Sequence, residues 1–138
     1  MSEANDWNQK IIEEFRANQG QVGGQFEGAP VLLLHTTGAR TRRERVTPMM
    51  FLDLDGHRYV FASKAGADTS PDWYHNLRAH PDVTVEAGTK SYRAEASVLA
   101  EPERTRVYSE QARRYTGFAE YQSKTERVIP VVELIPVG

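Results

Sequence analysis

The chain has 138 residues, 17 Lys+Arg against 19 Asp+Glu, a formal net charge of -2, 39% hydrophobic residues and no cysteine. That length suits one domain, spanning 1–138, with a real core. Disulfide frameworks, thiolate metal sites and thiol nucleophiles are excluded, no apolar run reaches the ~18 residues of a membrane span, and the acidic balance argues against a bulk nucleic-acid binder.

In chain order, residues 5–17 place Trp7, Ile11, Ile12 and Phe15 on one stripe with Glu13, Glu14 and Arg16 opposite, which predicts an amphipathic helix. The acidic N-terminus does not resemble a targeting signal, so a cytoplasmic protein is expected. Gly20-Gln21-Val22-Gly23-Gly24-Gln25 ends the helix as a loop. It is not a dinucleotide fingerprint, because no strand precedes it. A buried strand is expected over Val31–His35 and a second over Met49–Asp53. Asp55-Gly56 then signals a two-residue hairpin into a third strand, Arg58–Ser63.

Ser70-Pro71-Asp72 reads as a helix start, with Ser70 as N-cap and Pro71 at the first helical position. That helix, Asp72–Ala79, should stop before Pro81. Strands over Asp82–Glu86 and Ser91–Leu99 follow, then a helix over Pro102–Tyr115 that Gly117 breaks. A terminal strand is expected over Arg127–Pro136. About six strands and three helices, with no helix placed regularly between parallel strands, predict an α+β fold built on an antiparallel barrel.

The charge is unevenly spread. Residues 36–48 carry four positive charges (Arg40, Arg42, Arg43, Arg45) and one negative, whereas the chain carries -2, so the remainder stands at -5. Four guanidinium groups this close repel one another, and an anionic partner relieves that best. A solvated hairpin loop is the alternative reading, above all for Arg42 and Arg43. Two further segments invite an anion: Ala62-Ser63-Lys64-Ala65-Gly66, and the helix start with Trp73 and Tyr74 as flat apolar surface. Trp73 fits a core position as well as a ring platform. His75 and His80 are five apart, and His35 and His57 lack helical partners, so no metal is expected.

Four ordered blocks carry a resemblance. They are Thr36-Thr37-Gly38-Ala39-Arg40-Thr41 through Arg45 and Pro48, Ala62-Ser63-Lys64-Ala65-Gly66, Pro71-Asp72-Trp73-Tyr74-His75-Asn76-Leu77, and Tyr121-Gln122-Ser123-Lys124-Thr125-Glu126-Arg127-Val128-Ile129-Pro130. Together they resemble the deazaflavin-dependent nitroreductase family. The resemblance implies a split β-barrel that binds reduced coenzyme F420, a deazaflavin with a phosphate-linked oligoglutamate tail. It further implies hydride transfer to a small acceptor (a quinone, an enone or a nitro compound) in an actinobacterial setting.

Carried over by position, Arg40, Thr41, Arg45 and Lys64 would contact tail and phosphate. Val46, Thr47, Pro48, Met49 and Met50 would run past the ring, with Ala62 and Ser63 beneath it and Asp72, Trp73, Tyr74, His75 and Asn76 on the other side. Hydride transfer builds charge on an acceptor oxygen, which needs a donor. Ser63, Tyr115 and Tyr121 are the catalytic candidates, and Met50, Tyr115, Phe118 and Tyr121 the acceptor-binding ones.

Two departures stand out. Arg42 follows Thr41 where relatives carry glycine, and Phe118 and Met50 stand where better-studied relatives place tyrosines. The lost hydroxyls favour enone or quinone over nitroimidazole reduction. The charged first helix is a poor anchor for a lipid-embedded quinone. Alternatives are an FMN-binding barrel and a non-enzymatic module that binds an anion through the same loop. A monomer and a homodimer are both compatible with the sequence.

Overall fold

Strand β1 (Val31–Thr37) is apolar on both faces, and both faces are covered. The structure, a computed structural model, describes residues 3–23 and 29–137, without the side chains of residues 3–7 and Ala65. Gly24, Gln25 and the Trp7 side chain therefore lie outside the described residues. Six antiparallel strands close into a barrel in the order β1-β2-β3-β6-β5-β4. The others are β2 (Glu44–Leu54), β3 (His57–Phe61), β4 (Asp82–Ala87), β5 (Lys90–Val98) and β6 (Val131–Pro136). Helix α1 (Glu3–Ala17) precedes β1, α2 (Asp72–Ala79) follows β3, and α3 (Glu103–Arg114) and α4 (Gly117–Ser123) join β5 to β6.

Period-2 alternation sorts the side chains. Leu32 and Leu34 enter the barrel interior with Met49, Val60, Val85, Val132 and Leu134. Trp73, Tyr74 and Leu77 of α2 join the same cluster and plug one end. Outward-facing Val31 and Leu33 pack under Ile12 and Phe15 of α1, the stripe expected from helical periodicity. Leu52, Tyr59, Phe61 and Val131 pack outward against Val107 and Tyr108 of α3 and Phe118 of α4.

The barrel splits at one place. β2 pairs with β1 from Glu44 to Met50, but with β3 only from Phe51 to Leu54. Beyond Val60 the β3 strand leans to the β6 side, where the Ala62 amide donates to the Pro130 carbonyl at 3.0 Å. The edge of β2 over Glu44–Met50 is therefore free of β3. Pro48 sits on this stretch, where a missing N–H deprives no β3 ladder.

Several expectations need correction. The second strand begins at Glu44 rather than Met49, because β1 supplies partners as far as Thr37↔Glu44. The terminal strand begins at Val131 rather than Arg127. Ahead of it, side chains take the backbone groups that a ladder would use: Gln122 donates to the Arg127 carbonyl and accepts from the Ile129 amide, and Arg104 donates to the Ile129 carbonyl. The segment after Gly117 forms a fourth helix against α3.

Ser70 is not the N-cap of α2. Pro71 occupies that position in extended conformation with no side-chain cap, and the Ser70 hydroxyl faces Arg127. The hairpin at Asp55-Gly56 is as expected, with positive φ at both residues.

Candidate functional site

The loop between β1 and β2 is built to present cations. Gly38 turns it so tightly that a Cβ there would lie 2.5 Å from Thr41 Oγ1. Arg42 N donates to the Gly38 carbonyl and Gly38 N to the Arg43 carbonyl, and Thr41 Oγ1 accepts from Arg43 N at 3.2 Å. Closing the turn puts Arg42 in the left-handed region, φ 59°, a conformation that disfavours a residue with a Cβ. Glycine would take that conformation without strain.

Arg40, Arg42, Arg43 and Arg45 are exposed, and among the described residues none is ion-paired. Glu44, the one acid in the run, faces His35 at 3.3 Å instead. Arg45 and Thr47 share the Met49 face of β2, whereas Val46 and Met50 face α1. Pro48 and Met49 are buried, and Thr47 and Met50 are half-buried.

Asn76 joins this loop to the plug helix. Its Oδ1 accepts from the Ala39 amide at 3.0 Å, and its Nδ2 donates to Thr36 Oγ1 at 3.4 Å. Asn76 is itself buried, as are Trp73 and Tyr74 at 8% and 9% exposed, within the core cluster. Asp72 and His75 are the members of that motif that reach solvent.

The third segment leaves β3 through buried Ala62 and half-buried Ser63 into a 3-10 turn, Lys64–Gly66. Gly66 has φ 84°, and a Cβ there would lie 2.8 Å from the Tyr121 carbonyl, so only glycine lets α4 come this close. Lys64 is exposed, also at positive φ (47°), and its Nζ contacts Thr69 Oγ1 at 3.3 Å. The Ser63 hydroxyl makes no hydrogen bond among the described residues, whereas the Ser63 carbonyl accepts from Arg127.

Tyr115 and Tyr121 are half-buried against the outer cluster. Phe118 lies within it at 8% exposed, 5.2 Å from Tyr121 and 5.6 Å from Phe61, centroid to centroid. Behind them Tyr108 donates to the Phe118 carbonyl at 2.5 Å, and burial pushes its phenol up to about 12. Tyr108 is thereby a buried donor to backbone that stays protonated at neutral pH.

Sequence reasoning gave no role to Arg104, Gln122 and Arg127. Arg104, 9% exposed, donates to the Ile129 carbonyl at 2.9 Å and to Gln122 Oε1 at 2.6 Å, and stacks on Tyr108. Gln122 passes that bond on to the Arg127 carbonyl at 2.7 Å. The signal was a Gln and an Arg beside a Val/Ile-rich segment, where an ordinary strand would not place them.

Three elements are thus at hand: a cationic loop tied to α2 through Asn76, a turn in which right-handed Ser63 is followed by left-handed Lys64, and the edge of β2 that β3 leaves open. Unpaired cations beside an unpaired strand edge fit a flat ligand with an anionic tail.

The family described as F420H(2)-dependent quinone reductase matches residues 7–136 of this chain. An F420H(2)-dependent quinone reductase of Mycobacterium tuberculosis is 42% identical over 128 residues, covering 87% of this chain and 83% of the relative. Among solved structures, an F420-H2 dependent reductase is 37% identical with a TM-score of 0.69, covering 76% of this chain and 93% of that one. A second, described as a domain-swapped dimer, is 32% identical with a TM-score of 0.71, covering 95% and 98%.

Proposed function

This chain belongs to the F420H(2)-dependent quinone reductase family, and from that premise we propose that it reduces a quinone, or a related small enone, with coenzyme F420 as the hydride donor. The observation that carries the assignment to this site is the set of exposed cations, Arg40, Arg42, Arg43, Arg45 and Lys64, beside a strand edge that β3 leaves open. The reduced deazaflavin supplies the hydride; the protein supplies placement and charge.

Arg40, Arg45 and Lys64 hold the phosphate and acidic tail, Arg as a planar fork and Lys as a point charge. Thr47 and Met49 on one face of β2 and the small residue Ala62 border the ring and exclude water from it. Asn76 orients the loop through Ala39 and Thr36, one bond at each end of its amide. Trp73 and Tyr74 support the site from the core. Ser63, Tyr115 and Tyr121 donate hydrogen bonds to the acceptor oxygen as it gains charge. No described helix is long and apolar enough to cross a membrane, and a small acceptor reaching the site from solution suits that. The partner is that acceptor. Both a monomer and a homodimer accommodate the reading.

The test is a fluorescence titration of the protein with F420, FMN and a short oligonucleotide, repeated on Arg40→Ala/Arg45→Ala. F420 binds most tightly to the wild type, and the double substitution weakens it by tenfold or more, about 1.4 kcal/mol. Tighter binding of FMN, or of the oligonucleotide, overturns the assignment in favour of the other cofactor or of a non-enzymatic anion binder.

A further inference from the structure

Arg127 has no carboxylate partner among the described residues, and its guanidinium is spent on one short stretch of backbone. Nε donates to the Ala67 carbonyl at 2.8 Å, and Nη2 donates to the carbonyls of Ala62 at 3.1 Å and Ser63 at 2.9 Å. Nη1 reaches Ser70 Oγ at 3.4 Å. The stretch so gripped contains the left-handed Lys64 and Gly66.

A trans peptide unit points its C=O and the following N–H in opposite directions. Drawing the Ala62 and Ser63 carbonyls toward Arg127 therefore turns the N–H groups of Ser63 and Lys64 away from it. Neither N–H finds an acceptor among the described residues. Arg127 is half-buried, whereas Lys64 is exposed, so the turn has a solvent side opposite the guanidinium. The φ change from -76° at Ser63 to 47° at Lys64 is the right-to-left alternation that aims successive amides at one anion.

We propose that Arg127 is a positioning residue for the cofactor site: it holds the carbonyls of Ala62 and Ser63 so that the Ser63 and Lys64 amides present a two-donor cradle to an anionic oxygen of the cofactor. The identity of that anion rests on the F420 reading above; the cradle itself does not. Gln122 fixes the main chain of Arg127, so the grip is transmitted from the α3–α4 layer. Lysine cannot replace this grip, because an ammonium keeps the charge and loses the fork that meets several carbonyls at once.

The test is amide NMR of the wild type and Arg127→Lys, titrated with F420 and, separately, with inorganic phosphate, alongside equilibrium F420 affinity. In the wild type the Ser63 and Lys64 amide resonances move with either titrant. In Arg127→Lys those shifts shrink and F420 affinity falls about tenfold, while resonances of β4 and β5 are unchanged. Millimolar guanidinium restores affinity to Arg127→Ala. Unmoved Ser63 and Lys64 amides in the wild type overturn the cradle, which keeps the proposal testable should the variants not fold. Wild-type affinity in a folded Arg127→Lys overturns the positioning role. A wild type that ignores F420 but moves these amides with phosphate removes the F420 reading and leaves the cradle standing.

Discussion

Asn76 Oδ1 accepts a hydrogen bond from the Ala39 amide at 3.0 Å, so the helix that plugs the barrel and the loop that carries the arginines form one hydrogen-bonded unit. The link explains how an exposed, self-repelling loop keeps its place. It also makes a buried, uncharged side chain a determinant of where the arginines lie.

Asn76→Ala removes this bond and the contact to Thr36. The Ala39 amide and the Thr36 hydroxyl each lose a partner, which destabilises by about 1 kcal/mol. The untethered loop weakens F420 binding as well. Urea unfolding and an F420 titration read the two effects, and an unchanged affinity would separate the loop from the site.

Arg42 sits at φ 59°, where a Cβ is unfavourable by about 1–2 kcal/mol. Arg42→Gly therefore raises stability by about 1 kcal/mol, part of the gain being returned to the unfolded chain's greater freedom. A lower urea midpoint for the variant would show that the turn is not strained there.

Lys64→Ala removes an exposed ammonium that belongs to no ion pair among the described residues. F420 affinity should fall by about tenfold, and by more for a long-tailed than for a tail-less cofactor. Equal losses with both would place Lys64 away from the tail.

Glu86 lies between Arg16 at 2.7 Å and His35 at 2.5 Å. The hydrogen bond from Arg16, then that from His35, holds its carboxyl below the ordinary value of 4.5. The folded group titrates lower than the unfolded one. Its contribution is thus fully present above the unfolded value and is lost as pH falls through the folded one. Glu86→Gln flattens the acid limb of stability below about pH 4.5. Unfolding midpoints from about pH 6 to about pH 3 test this, and parallel acid limbs would count against it.

Arg104 is buried, and desolvation lowers its pKa; it keeps its place by hydrogen bonds to the Ile129 carbonyl and Gln122 rather than by a carboxylate. Arg104→Leu leaves that carbonyl without its donor and should destabilise by about 1–3 kcal/mol. Thermal unfolding that matches the wild type would mean that water or a neighbour satisfies the carbonyl instead.

Much of the fold was legible because the signals were local. The stripe Ile11, Ile12, Phe15, the turn Asp55-Gly56 and the apolar run of β1 report on chemistry within a few residues, and each forms as expected. The ordered blocks from Thr36 to Pro130 likewise name a family. The extension of β2 back to Glu44 was hidden, since an arginine-rich stretch looks like loop until β1 is placed beside it. The N-cap failed for a similar reason: the Ser70 hydroxyl faces a guanidinium 57 residues away rather than its own helix.

The barrel's alternation, the local excess of positive charge and the family could be read from residue order alone, because side-chain periodicity and composition act over a few residues at a time. The positions of Trp73 and Tyr74 in the plug, of Asn76 as a tether of the arginine loop and of Arg127 on the turn beside Lys64 became visible once the chain was folded. Those roles are contacts between segments far apart in the chain, and a hydrogen bond depends on a direction in space that no spacing in sequence records.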